Sequence, residues 1–198
     1  MGDVSEATSD SRSARGRLKR AYAAARNFPD RVLHQRRRAE ARRRVLQLGS
    51  VRRILVICYG NVCRSPYLAA ILRRGLQGID VSSAGFVGPG RPVPSNALTL
   101  ATQRGIDLTD FRSRPVSRVD PASADLVIVM EPGQARHLSE IYRLSPARII
   151  VAGDLDPVVS GTREIRDPWG QSLEVFTSSF DRLDRCAATL IAILRRAY

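Results

Sequence analysis

The chain has 198 residues, 43% of them apolar, which suits one globular domain of ordinary size with residues to spare. Its three cysteines follow an acidic beginning that never builds an apolar run. This excludes a secreted disulfide framework, so a cytoplasmic protein is expected, and no apolar stretch approaches the roughly 20 residues that cross a bilayer. The net charge of +13 is concentrated at one end: residues 1–50 hold 13 basic and 5 acidic side chains, and the remaining 148 residues hold 19 and 14.

In chain order, residues 1–30 mix Ser, Asp, Arg and Gly and then offer AYAAARNF, which Pro29 interrupts. Asp30 is a suitable N-cap, RVLHQRRRAEARRRVLQL is rich in helix formers, and Gly49 is a fitting stop. Arg36, Arg37 and Arg38, then Arg42, Arg43 and Arg44, interrupt any apolar stripe, so the stretch reads as a solvated arm, helical in part, with His34 on its surface. Three roles stay open for residues 1–50: a partly helical or disordered tail, an electrostatic contact for anionic lipid, nucleic acid or an acidic protein, or a segment folded back on the rest.

From residue 52 the pattern alternates between strand and helix. RILVICY is a short β-branched run ending at Gly60, as a buried parallel strand should be. Leu68, Ile71, Leu72 and Leu76 then recur at helical spacing with Arg73 and Arg74 turned away. GIDVSSAG predicts a second strand, VGPGRPVP a loop, and Ser95 to Arg104 a helix. ADLVIVM, GQARHLSEIYRL and ARIIVAG follow as strand, helix and strand. A last long helix carries Phe176, Phe180, Leu183, Ala187, Leu190, Ile191 and Leu194 on one face, with Cys186 among them as a packing residue. Strands separated by helices predict an α/β fold with a parallel sheet covered on both sides, in which ligands sit at the carboxyl ends of the strands.

CYGNVCRSP, residues 58–66, lies at such an end. A loop between a strand and a helix N-terminus exposes backbone N–H groups and the positive end of a helix dipole, which suits an anion. Gly60 allows the tight path. The dipoles that would hold a phosphate also stabilise a thiolate at Cys58, and Ser65 can add a hydroxyl hydrogen bond. Arg64 offers a planar fork for two phosphate oxygens. The combination predicts a nucleophile beneath a phosphoryl group.

VICYGNVCRSP resembles the VCXGNXCRSP loop of the low-molecular-weight protein tyrosine phosphatases, and DVSSAG, GIDL, FRSRPV, ADLVIVME and RDPWG follow in that family's order over about residues 52–198. The resemblance implies a three-layer α/β/α sandwich with a four-stranded parallel sheet, a catalytic domain at 51–198, and no metal or other cofactor. It implies that Cys58 forms a phosphocysteine, that Arg64 binds phosphoryl oxygens, that Asn61 and Ser83 hold the loop in shape, and that Ser65 stabilises the thiolate. Asp167 of IRDPWG would be the general acid and then the base, on a loop stiffened by Pro168, with Trp169 as an aromatic wall. Tyr59 would form a rim, Gly60, Val62 and Cys63 would complete the binding loop, and Cys63 would also shield Cys58 through a reversible disulfide. Val62 stands where tyrosine-specific members are aliphatic and phosphoarginine-specific ones carry threonine.

The chain departs from the family pattern at Gly170, which replaces a second aromatic, in the VGPGRPVP loop, which lacks one, and at Arg104, where some relatives carry a histidine that supports the loop. His34 and His137 make no metal set with the cysteines and read as surface residues. Three alternatives to a tyrosine phosphatase stay open. They are a thiol-coupled arsenate reductase, for which Cys186 is the one cysteine left after residue 63, a phosphatase of other phosphoesters, and an anion-binding module without turnover. Partners implied by the resemblance are phosphotyrosyl proteins, among them a bacterial tyrosine kinase.

Overall fold

The computed structural model describes residues 28–197. The reading of residues 1–27 lies outside the described residues. The elements run α1 (Phe28–Gln47), β1 (Arg53–Cys58), α2 (Arg64–Gly75), β2 (Asp80–Gly85), α3 (Ser95–Gln103), β3 (Leu126–Val129), α4 (Pro132–Ile141), β4 (Ile149–Val151) and α5 (Leu173–Ala197). Four strands form one parallel sheet in the order β2-β1-β3-β4, with Cys58 level with Gly85 and Ile57 level with Val129. This is the α/β fold that the alternating pattern predicts.

Alternation along β1 divides the core. Ile54, Val56 and Cys58 pack with α2, α3 and α5 on one face, and Leu55 and Ile57 pack with Leu138 of α4 on the other. Both faces are covered, which is why the strands read as continuous apolar runs rather than as alternating ones. The long helix α5 buries Phe176, Phe180, Leu183, Leu190 and Leu194, and Cys186 lies among them at 1% exposure. Burial pushes its thiol up to about 12, consistent with an inert core cysteine.

The arginine-rich helix α1 is not the solvated arm that its interrupted stripe suggests. It lies against α5 and the turn Ala152–Leu155, burying Ala41 and Val45, and the chain turns away at Gly49, whose φ of +64° suits glycine. His34 is likewise buried, 5% exposed, and its Nε2 lies 2.9 Å from the backbone carbonyl of Asp156. A carbonyl only accepts, so Nε2 carries the proton. The sequence signal failed here because three buried side chains, His34, Ala41 and Val45, suffice to seat a helix whose arginines project to either side.

Candidate active site

β1 delivers the chain at Cys58 to the carboxyl edge of the sheet, and α2 begins at Arg64. In the loop between them, Cys58 Sγ lies 3.0 Å from Ser65 Oγ and accepts from the Asn61 backbone N–H over 3.2 Å. Ser65 Oγ itself accepts from Asn61 Nδ2 at 2.9 Å, which leaves its single proton a choice between the sulfur and the Ala84 carbonyl, 3.5 Å away. The nearer acceptor is the sulfur. Two donors therefore point at Cys58, and neither requires a proton from it.

Asn61 holds this shape. Its φ of +51° is in the left-handed region, which asparagine tolerates better than most residues. Nδ2 donates to Ser83 Oγ at 3.0 Å as well as to Ser65, and Oδ1 accepts from the Arg114 backbone N–H at 2.8 Å. The fully buried amide thus ties β2, the 58–64 loop and the segment after α3 together. Gly85, at the end of β2, completes the fit: a Cβ there would meet the Asn61 nitrogen and the Tyr59 oxygen at 2.8 Å each.

Arg64 is 2% exposed. Its Nη1 donates to the Ile165 carbonyl at 2.9 Å, and its Nη2 pairs with the Asp167 carboxylate. Its Nε is buried with no hydrogen-bond partner among the described residues, a donor with capacity to spare. Asp167 Oδ1 accepts from the Trp169 backbone N–H at 3.2 Å across Pro168. A small cavity of ≈ 90 Å³ is lined by Cys58, Tyr59, Gly60, Val62, Cys63, Asp167 and Trp169, together with Arg91. The structure thus brings the expected nucleophile, rim, wall and acid candidates to one place. Asn61, Ser65 and Ser83 are instead buried behind the loop, so their side chains shape it rather than line the cavity. Burial pushes the Cys63 thiol up, and the neighbouring Cys58 and Asp167 add to the effect.

Residues 53–198 match the family model described as low molecular weight phosphotyrosine protein phosphatase. The chain belongs to that family. It is 29% identical over 136 residues to a probable low molecular weight protein-tyrosine-phosphatase, EpsP, of Ralstonia nicotianae, covering 68% of this chain and 90% of that protein. It is 30% identical over 138 residues to the low molecular weight protein-tyrosine-phosphatase Wzb of Escherichia coli K12, covering 68% and 89%. Among solved structures, Vibrio vulnificus Wzb in complex with benzylphosphonate superposes with a TM-score of 0.65 at 26% identity, covering 72% of this chain and 99% of that one. The YwlE arginine phosphatase of Geobacillus stearothermophilus does so with a TM-score of 0.65 at 28% identity, covering 73% and 93%.

In this family member one cavity residue escaped sequence reasoning. Arg91, in the VGPGRPVP loop, donates from Nη2 to the Gly60 carbonyl at 2.7 Å, and its guanidinium carbon lies 5.9 Å from the centre of the Trp169 ring. Its backbone is held by Ser113, which accepts from the Arg91 N–H at 2.9 Å and donates to the Gly88 carbonyl at 2.8 Å. A lone cation between Gly and Pro in a loop after a strand was the available signal. Arg104 has no bond to the Asn61 network; it pairs with Asp181 and Asp184 and lies over the stacked rings of Tyr67 and Phe180. His137 is exposed, edge-on to Phe86.

Proposed function

We propose that this protein is a cytoplasmic protein-tyrosine phosphatase that hydrolyses phosphotyrosine through a phosphocysteine intermediate. The observation that carries the reading is the joint placement of Cys58 Sγ, under two hydrogen-bond donors, and of Asp167, on the same small cavity with Arg64 bonded to the carboxylate. Membership of the family supports the reaction class.

In the first step the Cys58 thiolate attacks phosphorus, an S–P bond forms and the P–O bond to the phenol breaks. Arg64 and the loop amides take up the phosphoryl oxygens, where charge is greatest in the transition state. Once the phosphoryl group occupies the Arg64 fork, the released Asp167 carboxylate takes up the proton carried by the phosphate monoanion and passes it to the phenolate oxygen as the P–O bond breaks. In the second step Asp167, now a carboxylate, removes a proton from water as the water oxygen bonds to phosphorus and the S–P bond breaks, which returns the thiolate and inorganic phosphate. Tyr59 and Trp169, 57% and 53% exposed, offer rings between which a phenol can lie. Reversible oxidation with Cys63 protects Cys58, and phosphotyrosyl proteins such as a bacterial tyrosine kinase are the partners. Val62, buried in the cavity wall, is the aliphatic residue associated with tyrosine-specific members.

The test is a comparison of phosphotyrosyl, phosphoseryl and phosphoarginyl peptides, with arsenate and a thiol reductant as a fourth arm. Release of phosphate from the phosphotyrosyl peptide alone is the expected result. Preference for phosphoarginine, or arsenate reduction without phosphatase turnover, would replace this reading.

A further inference from the structure

A cleft of ≈ 580 Å³ lies between α1 and α4, floored by the edge strand β4, and it shares no residue with the catalytic cavity. Five arginines line it: Arg36, Arg37 and Arg44 from α1, Arg136 from α4, and Arg163. Two carboxylates accompany them, and both are engaged, Glu40 with Arg43 and Arg44, and Asp154 with Arg163. No ion pair among the described residues involves Arg36, Arg37 or Arg136. The floor between these cations is apolar, with Ala41, Ala135 and Ile149.

Like charges converging from two helices repel one another, a cost that the fold tolerates and that a bound anion would relieve. The volume of the cleft falls in the range of small-molecule sites. Several guanidinium groups lining one cleft from two helices and a loop match the oxygens of phosphate groups better than a single carboxylate. The family match begins at residue 53, so α1, which supplies three of the five arginines, is an addition to the conserved domain. We propose that this cleft binds a small polyanion carrying two or more phosphate groups, separate from the catalytic site.

The full chain is titrated calorimetrically, first without and then with vanadate in the catalytic cavity, with tripolyphosphate and with a non-hydrolysable imido analogue of ATP. One equivalent should bind, and Arg37→Gln/Arg136→Gln should weaken it by about tenfold or more while leaving para-nitrophenyl phosphate turnover unchanged. The control Arg118→Gln/Arg196→Gln, which removes two exposed charges elsewhere, should leave binding intact. Tighter binding of the nucleotide analogue would identify a nucleoside as part of the ligand; equal binding would make the phosphate chain sufficient. The proposal is overturned by absence of saturable binding, by loss of binding on adding vanadate, by equal weakening in both double variants, or by binding of a polyglutamate peptide with neither phosphate probe bound.

Discussion

Arg64 and Asp167 form an ion pair across 103 residues of sequence, the guanidinium 3% and the carboxylate 40% exposed. In the proposed reaction the same guanidinium serves the phosphoryl oxygens, so an incoming phosphate and Asp167 compete for it. Asp167→Asn should therefore bind inorganic phosphate more tightly than the wild type while hydrolysing aryl phosphates roughly 10²–10⁴-fold more slowly, most of all those with poor leaving groups. Inhibition constants for phosphate together with a leaving-group series measure both effects. A variant that loses phosphate affinity along with rate would contradict the competition.

Replacing Cys58 by serine keeps the size of the side chain and the two donors around it but removes the thiolate. Turnover of para-nitrophenyl phosphate should fall by on the order of a thousandfold or more, as when other covalent enzymes lose their nucleophile. Phosphate binding, followed by calorimetry, should persist. Appreciable turnover by Cys58→Ser would rule out the phosphocysteine route.

Cys58 and Cys63 are both free and buried, at 2% exposure each. Hydrogen peroxide should inactivate the wild type in a form that dithiothreitol reverses, and mass spectrometry should find the loss of two hydrogens between these residues. In Cys63→Ser the same treatment should carry Cys58 onward to sulfinic acid, which dithiothreitol does not restore. Equal recovery in the two proteins would assign Cys63 to packing alone.

The Asn61 amide makes three hydrogen bonds at zero exposure. Asn61→Ala should leave the Ser65 and Ser83 hydroxyls short of a partner and cost about 1–3 kcal/mol. For a chain of this size that is a fall in Tm of roughly 2–4 °C per kcal/mol. Activity should fall by more than stability requires, because the donors at Cys58 are positioned by the same side chain. Tm and kcat measured side by side separate the two effects.

Asp156 is fully buried between Arg182 and Arg185. Burial by itself would raise its carboxyl, but the Arg185 hydrogen bond, the Val158 amide and the two arginine charges outweigh it and hold the carboxyl below the usual range. Such a carboxylate stabilises the fold above its unfolded value of about 3.9, and the contribution is lost as pH falls through that value toward the lower folded one. Tm should thus be flat from about pH 7 to 5 and drop below about pH 4, more steeply than in Asp156→Asn. At neutral pH the asparagine variant should already be destabilised by about 3–5 kcal/mol, the cost of stranding a buried cation.

Much of the site was legible because its parts are local. Cys58, Asn61, Arg64 and Ser65 span eight residues, and a strand of alternating inward faces followed by an amphipathic helix leaves such a loop little choice of place. The parallel sheet was legible from the alternation of strands and helices, whereas the strand order β2-β1-β3-β4 came from the tertiary structure. The linear chain determined the residue set of the 58–65 loop, the alternating α/β pattern and the basic character of the first fifty residues. Only tertiary structure decided that Arg91 reaches Gly60 over 31 residues, that His34 meets Asp156 over 122, and that an arginine-rich helix lies on the domain rather than in solvent. Those outcomes turn on whether a few side chains find matching hollows and acceptors on distant segments. Periodicity and spacing register the tendencies of a segment, whereas seating depends on the shape and polarity of the surface it meets.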